Sequence, residues 1–224
     1  MLMVFVQEQR ELTDVPEVRE EDQRISALRG LVRVPAEIRP SLLFMLASIF
    51  LWFVGYNAIE TFFTSYGVQV LGIKENQASL LSSISYITFI LFSVPSGYIA
   101  ARIGRRKTIT TGLLVFAGLL LVGYFIPSLF VIGAALALGG CAWALVNINS
   151  LPMVVDTAQG DASIGTFTGF YYLASQLAAI AGPVLNGVVI EKSGNYGLVL
   201  LMPVIFFILA AGTMQRVTRG EARP

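Results

Sequence analysis

Glu60 is the acid whose position carries the most chemical information. It is the only acid well inside an expected membrane span of this 224-residue chain. If the surrounding apolar segment is centred near Phe53, Glu60 lies seven residues away, about 10 Å along a helix axis. A hydrocarbon half-layer is ~15 Å thick, so the side chain is expected below the outer interface. Burial there favours the neutral acid and suits a group that takes up and releases a proton. The alternative is a side chain that reaches the interface or bonds Asn57 one turn away. Asn57, Glu60 and Thr64 form one helical stripe, and Thr168, Tyr172 and Gln176 form another at four-residue spacing. Tyr86, with Ser79, Ser82 and Ser83, and Asn147 and Asn186 add polar groups to other apolar segments. Such groups are costly in lipid, so they are expected to turn inward, toward partners or a cavity.

Other chemistries are poorly supplied. There is no histidine, which removes imidazole metal sites and His-based acid–base catalysis. Cys141 is the lone cysteine and gives no disulfide framework. No Ser-His-Asp, CxxC, Walker or GxGxxG pattern is present. The sequence therefore predicts no enzyme, no catalytic residue, no metal and no cofactor. A net charge of +1 says nothing about nucleic acid, but no basic stripe interleaves with aromatics, so no nucleic-acid partner is expected.

The elements that must position these residues follow from charge and hydropathy. Apolar residues make up 55% and charged residues 13%, against about 25% charged in soluble domains, and mean hydropathy is +0.73. Residues 1–40 hold 14 of the 29 charges, and residues 41–215 hold only 11. Uncharged runs cover 41–59, 76–101, 108–155, 162–190 and 193–215. About 20 apolar residues cross a bilayer, and the 48-residue run can hold two crossings. The expectation is an all-α membrane protein with six transmembrane helices near 41–65, 76–101, 108–126, 129–151, 163–190 and 196–215, the fourth ended by Pro152 and the fifth interrupted at Gly182-Pro183, a possible bend. Small residues at Gly133, Ala137, Cys141 and Ala144, and at Ala174, Ala178 and Gly182, are expected to allow close helix packing.

Residues 1–40 read as an N-terminal segment on the same side as the 216–224 tail. Ile25, Leu28 and Val32 fit a short amphipathic helix at the membrane surface, stopped by Pro35 and Pro40, and the alternative is a floppy acidic linker. Met1–Val6 is apolar, but acidic sequence follows without a basic n-region, so no cleavable signal is expected. With six crossings, 13 Lys/Arg fall on the side of the termini and two, Lys74 and Lys192, on the other. The positive-inside rule then puts both ends in the cytoplasm of a multi-pass cell-membrane protein. Asp156 shares that side with Arg102, Arg105 and Arg106, and the expectation is either an ion pair among them or a solvated loop aspartate. Asp161 and Ser163 read as N-cap candidates.

Two strings carry a resemblance. Gly97-Tyr98-Ile99-Ala100-Ala101-Arg102-Ile103-Gly104-Arg105-Arg106-Lys107 resembles the cytoplasmic loop signature of the major facilitator superfamily, G-x-x-x-D-R-x-G-R-[RK]-x. Gly97 is expected to permit close helix approach, Gly104 a tight turn, and Arg102, Arg105 and Arg106 contacts to carboxylates or helix ends. Ala101 stands where the family has aspartate, which weakens the latch, and such degeneracy is commoner in the motif's second copy, between helices 8 and 9. Trp52–Phe63 and the approach Pro35–Pro40 resemble helix 7 and the end of the central loop in the glycoside/sucrose:cation symporter branch. Gly169-Phe170-Tyr171-Tyr172 and Ala181-Gly182-Pro183 resemble helix 11 there, and Met1–Val6 the end of helix 6.

The resemblance implies one facilitator half, helices 7–12, built of 3+3 inverted repeats, with the first, second, fourth and fifth helices facing a cavity and the third and sixth facing lipid. It implies a half-size secondary transporter of a small solute, a sugar or glycoside, coupled to H⁺ or Na⁺. Asn57, Glu60, Tyr86, Asn147, Tyr172 and Gln176 are then the substrate and proton pathway. One half supplies one wall, so a second copy or an N-terminal-half protein is the expected partner, alongside the lipid bilayer. The other reading is a non-transporting membrane subunit or a residual fragment of a split transporter gene.

Overall fold

The computed structural model describes residues 34–158 and 161–221. The expectations for 1–33, including the surface helix at Ile25–Val32, lie outside the described residues, as do the side chains of Asp161 and Ser163. The described residues form six helices and no strand: α1 Arg39–Gln69, α2 Glu75–Ile103, α3 Arg105–Phe125, α4 Leu129–Val155, α5 Asp161–Ser193 and α6 Leu198–Met214. The first five are long and apolar enough to cross a membrane. The sixth, α6, is an apolar helix of 17 residues, at the short end of the range that crosses a bilayer, so each of the six helices expected from sequence has its counterpart.

Local sequence explains the helix starts. Pro40 sits in the first turn of α1, where its missing N–H costs nothing. Ser128 caps α4, its Oγ accepting from the Val131 N–H at 3.3 Å. One expected helix end and one expected interruption are corrected. Pro152 lies inside α4, which continues to Val155. Gly182-Pro183 does not interrupt α5, which runs unbroken to Ser193.

Close pairs are α1 with α5 and α6, α2 with α4, and α3 with α4 and α6. Their seams are built on small residues. A Cβ at Gly112 would stand 2.7 Å from the Ala142 carbonyl oxygen, and one at Gly182 would stand 2.5 Å from that of Val54. At Gly140 a Cβ would collide with the Thr88 hydroxyl and the Ser85 carbonyl. The α4 residue that admits α2 is therefore Gly140, while Gly133 has only Leu81 nearby, at 3.7 Å.

The core lies between α1, α3, α4 and α6, with Leu42, Met45, Ile49, Trp52, Ile109, Leu113, Leu200 and Phe207 fully buried. The outward faces of α3 and α6 are bare aliphatic surface: Leu114, Val122, Ile205, Ile208 and Leu209 are exposed. Helix α2 is the least covered, with only Ala78, Ser96 and Ala100 buried.

Candidate functional site: a polar wall and a basic loop

Glu60 is exposed and lies six residues past Val54, the midpoint of α1, about 9 Å along the axis. Tyr86 on α2 donates its phenolic O–H to Glu60 Oε1 at 3.1 Å. Asn57 does not pair with Glu60; its Nδ2 donates to the Phe53 carbonyl at 2.7 Å. Its amide is thus spent on its own helix. Tyr172 and Gln176 are exposed one turn apart on α5, and Asn147 is half-buried on α4.

An aromatic ladder that sequence reading missed connects these helices. Tyr56 on α1 stacks on Trp143 of α4 with centroids 3.9 Å apart and planes 4° from parallel. Phe53 meets Trp143 edge-on at 5.6 Å and Tyr171 of α5 at 6.2 Å. Tyr171 meets Tyr172 edge-on at 5.5 Å. Its hydroxyl lies 3.1 Å from Ser150 Oγ. Tyr172 is thereby tied to Phe53, on the helix of Glu60, through one intervening ring, Tyr171. The signal available in the sequence was Trp143, the second of two tryptophans, in the longest uncharged run. Asn186, fully buried, donates to the Ala58 carbonyl at 3.3 Å and joins α5 to α1 rather than facing the wall.

Behind Glu60 a cleft runs into the bundle between α1, α2, α3 and α4. Glu60, Tyr56, Tyr86, Ser82 and Ser85 are its polar-bearing residues; the remainder is apolar, including Ile59, Phe116 and Leu136.

The basic loop is organised by one residue. Gly104 alone separates α2 from α3, with φ +90°, a conformation that side chains with a Cβ resist. Arg105 forms an ion pair with Asp156 at the end of α4, as expected, and donates to the Gly220 carbonyl at 3.2 Å. Arg106 donates to the Val217 carbonyl at 3.0 Å. The Glu221 carboxylate, which sequence reading passed over, accepts from the backbone N–H groups of Arg105 and Arg106 at 2.7 and 3.3 Å. It caps the positive end of α3. The tail is pinned to α1 as well, with Thr218 and Arg219 N–H donating to Ser41 Oγ at 3.0 and 3.1 Å. Arg102 is exposed in the last turn of α2, where a cation complements the helix dipole. The close approach expected at Gly97 is absent, since no atom of the described residues lies within 4 Å of a Cβ built there.

Comparison with known proteins agrees with this architecture. The chain is 30% identical over 105 residues to the MFS-type transporter ppzB of Metarhizium rileyi, covering 47% of this chain and 22% of that protein. The fold matches the E. coli fucose:proton symporter FucP with a TM-score of 0.71 at 16% identity, covering 87% of this chain and 46% of FucP. It matches a peptide transporter, POT, in complex with sulfate equally well, at 0.71 and 18% identity, over 84% of this chain and 40% of that one. At such identities the likeness shows the fold alone, and one fold serves many solutes. The chain therefore spans less than half the length of each of these proteins. The pattern of the family described as Major Facilitator Superfamily matches residues 68–222, and this multi-pass membrane protein belongs to that family.

Proposed function

We propose that the chain is one half of a secondary transporter, equivalent to helices 7–12, and moves a small solute by alternating access. The observation that carries this reading is Glu60. An acid and its tyrosine partner stand on an exposed face of two helices that are apolar enough to span a membrane. Lipid cannot satisfy that face, whereas a second half can enclose it around water. Glu60 is the proton-coupling residue, and Asn57, Tyr86, Asn147, Tyr172 and Gln176 belong to the pathway. The 3+3 inverted repeat is supported by the pairing of helices. Exchanging α1, α2 and α3 for α4, α5 and α6 leaves the set of close pairs unchanged.

The solute is a sugar or glycoside, coupled to H⁺ or Na⁺, by the resemblance of Trp52–Phe63 and Gly169–Tyr172 to the symporter branch. The partner is a second copy related by an axis along the membrane normal, or an N-terminal-half protein. Both termini are cytoplasmic in the cell membrane, from the 13-to-2 distribution of Lys and Arg. The short coverage of its relatives, 22% for ppzB, favours a second reading, a non-transporting subunit or a fragment of a longer transporter. Detergent-corrected particle mass combined with uptake into proteoliposomes separates the two. Uptake by a purified two-copy particle supports the half transporter, and a monomer that moves no solute overturns it.

A further inference from the structure

The first three turns of α1 carry a groove that the polar wall does not use. Arg39, Pro40, Leu43, Phe44 and Ala47 line it, with Ala36 from the preceding turn, and its volume is about 490 Å³. Ordinary ligand pockets run from about 300 to 1,000 Å³. Leu42, Met45 and Ile49 of the same turns are buried in the core, whereas Leu43 and Phe44 are exposed. Depth sorts the lining by chemistry. Arg39 lies 15 residues before Val54, the midpoint of α1, about 22 Å along the axis. Leu43 and Ala47 lie 11 and 7 residues before it, about 16 and 10 Å. The hydrocarbon half-layer is ~15 Å thick, and headgroups extend it to about 20–22 Å. The arginine therefore stands at headgroup level, and the apolar groove runs from there into the acyl region. The Arg39 guanidinium donates to the Val34 carbonyl at 3.1 Å, which holds it beside the first turn. The C-terminal segment adds charge at the same end. Thr218 and Arg219 donate their N–H groups to Ser41 Oγ, and Arg216 and Arg219 are exposed. The acids nearby are Glu37, exposed in the turn before α1, and Glu221, whose carboxylate accepts from the α3 N–H groups.

We propose that this groove binds an anionic phospholipid. The phosphodiester accepts hydrogen bonds from Arg39, whose planar guanidinium matches phosphate oxygens. One acyl chain lies along Leu43, Phe44 and Ala47. Arg216 and Arg219 favour a headgroup of net negative charge over a zwitterionic one. With the termini on the cytoplasmic side, the lipid comes from the cytoplasmic leaflet, whose surface is negative. The site shares no residue with the wall around Glu60 and goes beyond the solute-transport reading. Lipid binding is measurable without uptake or orientation, so failure of either reading and failure of binding are separate results.

The test is lipid titration of the purified, delipidated full chain in detergent, with bound lipid counted by native mass spectrometry. Phosphatidylglycerol and phosphatidylcholine of identical acyl chains are the two probes. Preferential, saturable binding of phosphatidylglycerol is expected, about tenfold weaker in Arg39→Gln and largely kept in Arg39→Lys. Ala47→Trp, which fills the groove and leaves every arginine in place, is expected to weaken it comparably. Equal binding of the two lipids, or phosphatidylglycerol binding unchanged in Arg39→Gln or in Ala47→Trp, overturns the proposal. So does complete displacement of the lipid by inorganic phosphate, which would mean a site for a free anion. Ala47 is exposed, so the Ala47→Trp arm remains decisive if Arg39→Gln fails to fold.

Discussion

The phenol of Tyr86 donates to the carboxylate of Glu60 across 3.1 Å, joining α2 to α1 on the exposed face of the bundle. Helices α1 and α2 share few other close contacts. The pair is therefore placed to respond to protonation without disturbing the core.

Tyr86→Phe removes the donor and keeps the ring. Because Tyr86 is 44% exposed, the melting temperature is expected to stay near wild type, within about 0.5 kcal/mol of stability. Gradient-driven uptake should fall while solute exchange persists. Counterflow and uptake assays on the same proteoliposomes read the two, and loss of both in equal measure would remove Tyr86 from the coupling step.

Gly140 and Gly97 offer a paired test of packing. Gly140→Leu puts a branched side chain where even a Cβ meets the Ser85 backbone. A loss of about 1–3 kcal/mol or more is expected. Gly97→Leu meets open space within this chain and should leave the melting temperature unchanged. Should Gly97→Leu abolish activity without lowering stability, its surface belongs to the contact with a second half.

The tail clasp predicts a graded series. Glu221→Ala removes the cap of α3 and is expected to cost about 0.5–2 kcal/mol. Asp156→Ala breaks a pair whose partners are 17% and 47% exposed, and solvent screening holds that cost to about 1 kcal/mol or less. Gly220→Ala combines a positive φ of +83° with a collision at the Met153 carbonyl, and it should cost more than either. Thermal melts in detergent rank the three. An Asp156→Ala effect above that of Gly220→Ala would mean the ion pair, rather than the tail backbone, holds this face.

Orientation is tested by single cysteines placed beside Lys74, Lys192 and Arg105 in a Cys141→Ala background. Those beside the two lysines should react with an impermeant maleimide in intact cells, and the one beside Arg105 only after lysis. Inverted labelling would reverse the assigned orientation.

The sequence by itself determined the helical membrane class, the helix boundaries to within a few residues and the turn at Gly104. These depend on local quantities: runs without charge, hydropathy over a span, and a backbone angle that one glycine must supply. The partner of Asp156 was narrowed to three arginines, because positive charges clustered on one side can reach few acids. Tertiary structure alone decided that Tyr86 meets Glu60, that Asn57 is spent on its own helix and that Trp143 stacks on Tyr56. It also assigned close packing to Gly140 rather than Gly97, and the cap of α3 to Glu221, 117 residues beyond Gly104 in the chain. Periodicity gives the face of a helix that a residue occupies. It does not give which neighbour that face meets, since crossing positions depend on how all six helices fit together. Proline at positions 152 and 183 shows the same limit. A residue that disfavours an isolated helix lies here inside a continuous one, in α4 and in α5.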